Sequence, residues 1–304
     1  MLRKLAILAA AVAIIAAAAF WLITAPATVA ASVLPAHTPD LGNGRTMFYA
    51  GGCTACHAVP NQEDKTRLGG GLALKSPFGT FYAPNISPHP TDGIGAWSEV
   101  DFVTAMGKGT SPDGTHYYPV FPYPSYQRMK TDDMRDLFAY LKTLPPVAGK
   151  VRDHELPFPF NFRRLVGVWK VLFLDGRPFV ADPARSAQWN RGAYLVNGPG
   201  HCAECHSPRN ALGGIVAGER FAGGPDPEGG DGWVPNITEA GMGKYDQRDI
   251  ERILESGDTP DGDSVGGAMT AVVANTSQLP AEDRAAMADY IKSLPPVTGP
   301  KRPQ

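Results

Sequence analysis

Two short cysteine–histidine motifs are the residues with the clearest chemistry in this sequence. C-T-A-C-H runs from Cys53 to His57, and C-A-E-C-H runs from Cys202 to His206. Two thiols at this spacing can each add to one vinyl group of a haem, and the histidine that follows is then held beneath the iron as its proximal ligand. The motifs contain all four cysteines of the chain, which are Cys53, Cys56, Cys202 and Cys205. The sequence therefore predicts two covalently bound c-type haems, in preference to a redox dithiol or half of a zinc site.

The first residues predict a membrane anchor. Arg3 and Lys4 precede an uncharged apolar run from Leu5 to Ile23, which is close to the roughly 20 residues that span a bilayer. A positive start keeps the N-terminus in the cytoplasm, so the rest of the chain is directed across the membrane. We expect residues 1–33 to form a retained anchor and tether, with cleavage among the small residues 28–31 as the alternative. In both cases the body lies on the periplasmic side of the cytoplasmic membrane.

Composition indicates a packed body without strong electrostatic bias. Hydrophobic residues make up 43% of the 304 residues and charged residues 19%, which is typical of a globular protein. The formal net charge is −2, and no lysine–arginine cluster indicates a nucleic-acid partner.

An internal repeat with an offset of about 150 residues predicts two similar halves. The segment Y-L-K-T-L-P-P-V at 140–147 recurs as Y-I-K-S-L-P-P-V at 290–297, and P-N-I-S at 84–87 recurs as P-N-I-T at 235–238. This offset matches that between the haem motifs. We expect a first half at residues 34–148, a linker at 149–183 and a second half at 184–304.

Helical spacing of apolar residues dominates both halves. The last helix of the first half carries an apolar stripe at Met134, Leu137 and Leu141, as expected for a helix with one buried face. Capping signals precede another helix in each half, at Ser98 with Asp101 and at Asp246 with Asp249. Strand-like alternation is scarce, so the predicted class is all-α.

With these elements in place, each half resembles a class I cytochrome c domain. The resemblance implies a crossing between the helix before the haem motif and the last helix, with Gly44 beside Tyr140 and Gly192 beside Tyr290 at the crossing. Longer segments, F-P-Y-P-S-Y at 121–126 and V-A-N-T-S at 273–277, are similar to the cytochrome c subunits of bacterial membrane-bound alcohol, gluconate and related dehydrogenases. Those subunits typically carry three haems, whereas this chain has motifs for two.

The resemblance implies that the protein transfers electrons and is not itself an enzyme. Its donor would be a periplasmic dehydrogenase of the quinoprotein, flavoprotein or molybdenum type. Its acceptor in the respiratory chain would be quinone, an oxidase or another cytochrome. The alternatives are a two-haem c-type enzyme, such as a peroxidase or a thiosulfate dehydrogenase, and a structural haem subunit of an oxidase. A peroxidase needs an open iron position, and a thiosulfate enzyme typically uses a cysteine ligand, for which this chain has no spare residue.

Methionine at the second axial position of each iron would favour electron transfer, because a thioether closes the site. Met269 is the expected ligand in the second half, since it lies in a glycine-flanked loop where a class I domain holds its ligand. In the first half the expected ligand is Met129. The alternatives are Met242 and Met287 for the second iron, and Met106 and His116 for the first.

Asn85 and Asn236 lie at equivalent positions and are candidate haem-binding residues. Each side-chain amide could donate to a haem propionate, or it could form an Asx turn that shapes its loop. The linker holds L-P-F-P-F at 156–160 and then apolar residues at helical spacing from Leu165 to Leu172. It is too short for a second span and contains Lys170. We expect it to pack the halves together, or else to form an apolar docking patch for a dehydrogenase or the membrane surface.

Overall fold

The computed structural model describes residues 1–227, 229 and 232–302. Its first element is α1 (Leu2–Ile23), a helix with no buried residue and a mean hydropathy of 2.7, long and apolar enough to cross a membrane. The predicted N-terminal apolar helix is therefore confirmed as an element of the structure.

Helices are also the main regular elements of the first half, and their ends follow local sequence signals. Asp40 caps α2 by accepting hydrogen bonds from the amides of Gly42 and Asn43. Ser98 and Asp101 form the predicted capping box of α4. The elements in chain order are α2 (Leu41–Ala50), α3 (Cys53–His57), β1 (Ala73–Ser76), β2 (Gly79–Tyr82), α4 (Glu99–Lys108), α5 (Tyr123–Tyr126) and α6 (Thr131–Leu141).

The linker contributes α7 (Leu165–Phe173), and the second half repeats the helical order of the first. Asp246 and Asp249 form the second predicted capping box. The elements are α8 (Ala187–Asn197), α9 (Ala203–His206), β3 (Gly224–Pro225), β4 (Trp233–Val234), α10 (Glu239–Met242), α11 (Gln247–Ser256), α12 (Ala268–Thr276) and α13 (Ala281–Lys292).

The fold is mostly helical, but the all-α expectation needs a correction. β1 pairs with β2, and β3 pairs with β4, each as a short antiparallel hairpin. These strands have two to four residues, which is too short for alternation to be visible in the sequence. The helices supply most of the core, and buried apolar side chains from both halves form one large cluster. Phe81, Tyr118 and Val166 form a second, smaller cluster.

A glycine lies at the closest helix crossing in each half, as the resemblance implied. A Cβ atom at Gly44 would lie 2.2 Å from the backbone oxygen of Asp136 in α6, and one at Gly192 would lie 1.8 Å from that of Ala286 in α13. Tyr140 also contacts Gly44, since its Cβ would lie 2.8 Å from the added atom. Tyr290 packs its ring 5.2 Å from the ring of Trp189 in α8.

Asp136 links this crossing to the segment before α2. Its carboxylate accepts hydrogen bonds from the side chains of His37 and Asn43 and from the amide of Asp40. Burial alone would raise the pKa of Asp136, but these hydrogen bonds outweigh burial and hold the pKa below its usual value. The carboxylate therefore stabilises the first half in its ionised form.

Candidate functional site

The two motif histidines make the same hydrogen bond. Nδ1 of His57 lies 2.8 Å from the backbone oxygen of Pro84, and Nδ1 of His206 lies 2.8 Å from that of Pro235. A carbonyl oxygen can only accept, so Nδ1 must carry the proton in both rings. Nε2 then keeps its lone pair, which is the form of imidazole that binds a metal ion. Both rings are therefore fixed in the tautomer and orientation that an iron ligand needs.

The loops that supply these carbonyls are held by the two asparagines. Nδ2 of Asn85 donates to the backbone oxygens of Val147, at 2.7 Å, and of Gly149, at 3.1 Å. Its Oδ1 accepts from the amide of Ser87 at 2.9 Å. Both amide hydrogens of Asn85 are thus used within the protein, and a propionate would have to displace one of these bonds. The geometry favours the Asx-turn alternative over the predicted haem contact.

Asn236 makes the equivalent contacts in the second half. Its Nδ2 donates to the backbone oxygen of Val297 at 2.8 Å, and its Oδ1 accepts from the amide of Thr238 at 2.8 Å. Each asparagine therefore ties the proline that contacts the histidine to the segment after the last helix. This role positions the histidine through the backbone, and the predicted contact of Asn85 and Asn236 with the haem stays a prediction.

The first cysteine of each motif is half-buried, in surroundings that disfavour a charged thiolate. Burial raises the pKa of Cys53 to about 12 and the pKa of Cys202 to about 11. Thiols with such values stay protonated near neutral pH, whereas a catalytic dithiol or a zinc ligand needs an accessible thiolate. The environment thus suits thiols that are consumed in a permanent bond and does not favour the dithiol alternative.

The predicted methionine ligands lie in different local settings. Met129 is 3% exposed and lies in a bend between α5 and α6. Met269 is half-buried in the first turn of α12, which corrects the expectation that it lies in a loop. When Tyr140 is aligned with Tyr290, Met129 falls opposite Leu279, another buried core residue. The two methionines are therefore not equivalent in the repeat, and their iron ligation stays a prediction.

The alternative ligands have other roles in the described structure. Met106 and Met287 are buried in the core on α4 and α13. His116 uses Nε2 to donate to the backbone oxygen of Thr24 at 2.9 Å. Met242 ends α10 and packs against the apolar core.

Contacts between the halves bring the two cysteine motifs together. Oγ1 of Thr54, inside the first motif, donates to Oδ1 of Asn275 at 2.9 Å. Oγ of Ser125 donates to Oε1 of Glu204, inside the second motif, at 2.7 Å. Ser125 and Asn275 are equivalent in the repeat. In each half, the helix before the last one therefore contacts the haem motif of the other half.

Tyr126 and His201 extend this contact, and the sequence analysis did not identify either role. Nε2 of His201 lies 3.2 Å from the backbone oxygen of Gly51 and donates to it. The rings of Tyr126 and His201 are 5.6 Å apart and packed edge to face. Burial and then the neighbouring Cys53 raise the pKa of Tyr126, so its hydroxyl stays neutral. Tyr126, which lies near Cys53, and His201, which precedes Cys202, therefore pack against each other beside the two motifs.

Comparisons with known proteins agree with this geometry. A family model described as cytochrome c matches residues 41–145. A protein of Cereibacter sphaeroides described as "Diheme cytochrome c-type" is 46% identical over 299 residues, which cover 98% of this chain and 100% of that protein. The fructose dehydrogenase cytochrome subunit of Gluconobacter japonicus is 36% identical over 265 residues, 86% of this chain and 54% of that protein. The gluconate 2-dehydrogenase cytochrome c subunit of Pantoea cypripedii is 35% identical over 264 residues, 83% of this chain. The chain spans about half the length of these two subunits, at 54% and 58%.

Proposed function

Because this chain belongs to the dihaem c-type cytochromes, we propose that it carries single electrons from a dehydrogenase to the respiratory chain. The observation that carries this proposal is the matched pair of histidines, whose Nδ1 atoms both donate to a proline carbonyl. Two equally oriented imidazoles suit two haems that work in series. The haem supplies the one-electron chemistry, and the protein supplies ligands, a dry pocket and the position of each ligand.

We assign the cofactor-binding residues from these contacts and from the motif chemistry. Each cysteine pair forms two thioether bonds, and the Nε2 atoms of His57 and His206 bind iron. Met129 and Met269 complete the coordination and close each site to substrates. The Tyr126–His201 contact joins the two motifs, which favours transfer between haems within one chain. Each half is then one cytochrome c domain, and the two act in tandem.

The membrane and the donor complete the proposal. α1 stays uncleaved as an anchor, with Arg3 and Lys4 in the cytoplasm and the body in the periplasm. Since the relatives include cytochrome subunits of fructose and gluconate dehydrogenases, the donor is a dehydrogenase of the quinoprotein, flavoprotein or molybdenum type.

A cavity at the end of α1 favours quinone as the acceptor over an oxidase or another cytochrome. The cavity has a volume of about 170 Å³, and its lining includes Ile23, His116 and Lys170. Nδ1 of His116 is buried and, among the described residues, has no hydrogen-bond partner. Burial lowers the pKa of Lys170 to about 7, so this group can supply a proton near neutral pH. Reduction of a quinone to the quinol takes two electrons, one from each reduced haem, and two protons, of which Lys170 would supply one and solvent the other. Ile23, the last residue of α1, lines the cavity, which supports access from the membrane.

Spectroscopy of the full chain, purified from membranes with its haems, tests the proposed function. Two low-spin irons with a thioether-to-iron absorption band are expected, together with haem reduction by the substrate of a co-purified dehydrogenase. A high-spin iron together with rapid peroxide turnover would instead assign the chain to the enzyme class. Replacement of Lys170 by Met should slow electron transfer to a soluble quinone and leave reduction by dithionite unchanged.

A further inference from the structure

Helix α7 has its apolar face on the outside. Leu165, Val168 and Leu172 recur at helical spacing and are 38%, 36% and 58% exposed, and Val171 beside them is 59% exposed. The only buried residues of α7 are Val166 and Gly167. A helix on the surface of a water-soluble body normally shows the opposite pattern, with its apolar stripe facing the core.

The segment before α7 extends this surface. Phe158 is 83% exposed, and Phe160 and Phe162 are also exposed. Together with the α7 stripe they form a run of exposed apolar side chains within 15 residues of the chain, which we call the α7 patch: Phe158, Phe160, Phe162, Leu165, Val168, Val171 and Leu172. Clustered exposed apolar side chains of this kind mark a site of contact with a partner or a membrane.

The α7 patch is fixed at the base of the membrane anchor. Thr24 follows directly on the last residue of α1, and a Cβ atom at Gly167 would lie 2.7 Å from its backbone oxygen. Nε of Arg164 donates to Oγ1 of Thr24 at 2.9 Å. The guanidinium of Arg164 stacks 4.0 Å from the centre of the Trp21 ring, near the end of α1. α7 thus begins against the residue at which α1 ends.

Other contacts hold α7 rigidly on the body. Nζ of Lys170 donates to the backbone oxygens of Lys108 and Gly109, both at 2.7 Å, at the end of α4. Nε1 of Trp169 donates to the backbone oxygen of Leu212 in the second half at 2.9 Å. The polar groups of Trp169 and Lys170 therefore face the protein, as buried Val166 does, whereas Leu165, Val168, Val171 and Leu172 face away from it.

We propose that the α7 patch is a second membrane contact, which lies in the interfacial region of the same leaflet from which α1 emerges. Its occupant is lipid, because the patch begins beside the anchor: Arg164, which directly precedes Leu165 of the patch, stacks on the exposed ring of Trp21 near the end of α1. With nine residues, α7 is too short to span a bilayer and suits a helix lying in the plane of the interface. Two points of attachment fix the orientation of both halves relative to the membrane. The inference rests on the retained anchor of the proposed function.

Crosslinking to lipid tests this contact. The holoprotein is placed in nanodiscs of phosphatidylethanolamine and phosphatidylglycerol that contain a phospholipid with a diazirine in its acyl chain. After irradiation, lipid adducts are mapped by mass spectrometry. Peptides covering residues 158–174 should carry several-fold more adducts than the peptide that contains Leu41, an exposed leucine on α2. The double variant V168S/L172S should lose most of these adducts while adducts on α1 stay unchanged.

The outcomes separate the second contact from the anchor. Adducts on α1 alone would overturn the second contact and leave the anchor intact. Absence of adducts on α1 as well would overturn both. If the 158–174 peptides crosslink to a co-purified dehydrogenase in native membranes and not to lipid, the patch is a protein interface and the inference is wrong. The haem absorption spectrum of V168S/L172S must match that of the parent, which is expected because both residues are exposed.

Discussion

Replacement of Gly192 by Ala should destabilise the second half strongly. The added Cβ would lie 1.8 Å from the backbone oxygen of Ala286, whereas a relaxed carbon–oxygen contact is about 3.3 Å. The helices α8 and α13 must therefore separate by about 1.5 Å at their crossing. Because the obstacle is backbone, no rotamer change relieves it. Overpacking of a core costs about 1–3 kcal/mol, and we expect about 3 kcal/mol here.

Two further glycine-to-alanine variants test whether the loss of stability grows as the added Cβ comes closer to its neighbour. At Gly44 the corresponding contact is 2.2 Å, so G44A should cost less than G192A and should act on the first half. At Gly218 a Cβ would meet no atom within 4 Å, so G218A should change the free energy of unfolding by less than about 0.5 kcal/mol.

Thermal unfolding of the holoprotein in detergent, followed by circular dichroism and by haem absorption, measures these effects. For a unit the size of one half, a loss of 3 kcal/mol corresponds to about 10–15 °C in Tm. If G192A melts within about 3 °C of the parent, the crossing is not as close as the structure places it, and the reasoning is refuted.

Three further predictions follow from the sites described above. Replacement of Met129 or Met269 by Ala should convert one iron of two to high spin, measured by electron paramagnetic resonance; an unchanged spectrum would reject that residue as a ligand. D136N should lower stability at pH 7 by about 2 kcal/mol because hydrogen bonds to a charged group are lost. The folded pKa of Asp136 lies below its unfolded value, so its stabilising contribution is fully present above the unfolded pKa of about 4 and is lost as the pH falls through the folded pKa. The stability of D136N should therefore lack this part of the pH dependence, whereas D132N, at the exposed neighbour, should keep it. Equal acid unfolding curves for the two variants would contradict the assignment. S125A should destabilise the contact between the halves by about 1–3 kcal/mol, because the Glu204 carboxylate loses a hydrogen bond; an unchanged urea midpoint would mean that this bond contributes nothing.

Much of this architecture is predictable from the sequence because its signals are local. The cysteine motifs, the repeat and both capping boxes each lie within a few residues of one another. The crossing glycines were also predictable, since the resemblance implied Gly44 and Gly192 at the two helix crossings. The sequence could not show that the atom nearest to Gly192 is the backbone oxygen of Ala286.

The parts that could not be predicted depend on contacts distant in the chain or on weak local signals. α12 begins after Gly267, which has a φ of 59° and no side chain that could cap the helix. The sequence therefore carries no start signal for α12, and Met269 was expected in a loop. From the sequence, the asparagine amides suit a haem or a turn equally well, because their bonds to the backbone oxygens of Val147 and Val297 join residues about 60 positions apart. The exposure of α7 depends on what covers it, and an apolar helical stripe looks the same in sequence whether it faces a core or lipid.

The crosswise bonds from Thr54 to Asn275 and from Ser125 to Glu204 limit how this protein can be taken apart. A duplicated sequence invites the idea that either copy could be expressed alone or exchanged for a copy from a relative. Yet each half covers a polar group of the other half beside a cysteine motif. If the chain were cut in the linker, Glu204 and Asn275 would lose these partners and would be exposed to water on the surface that normally contacts the first half. Chimaeras should therefore be designed with both partners of each crosswise bond taken from the same parent.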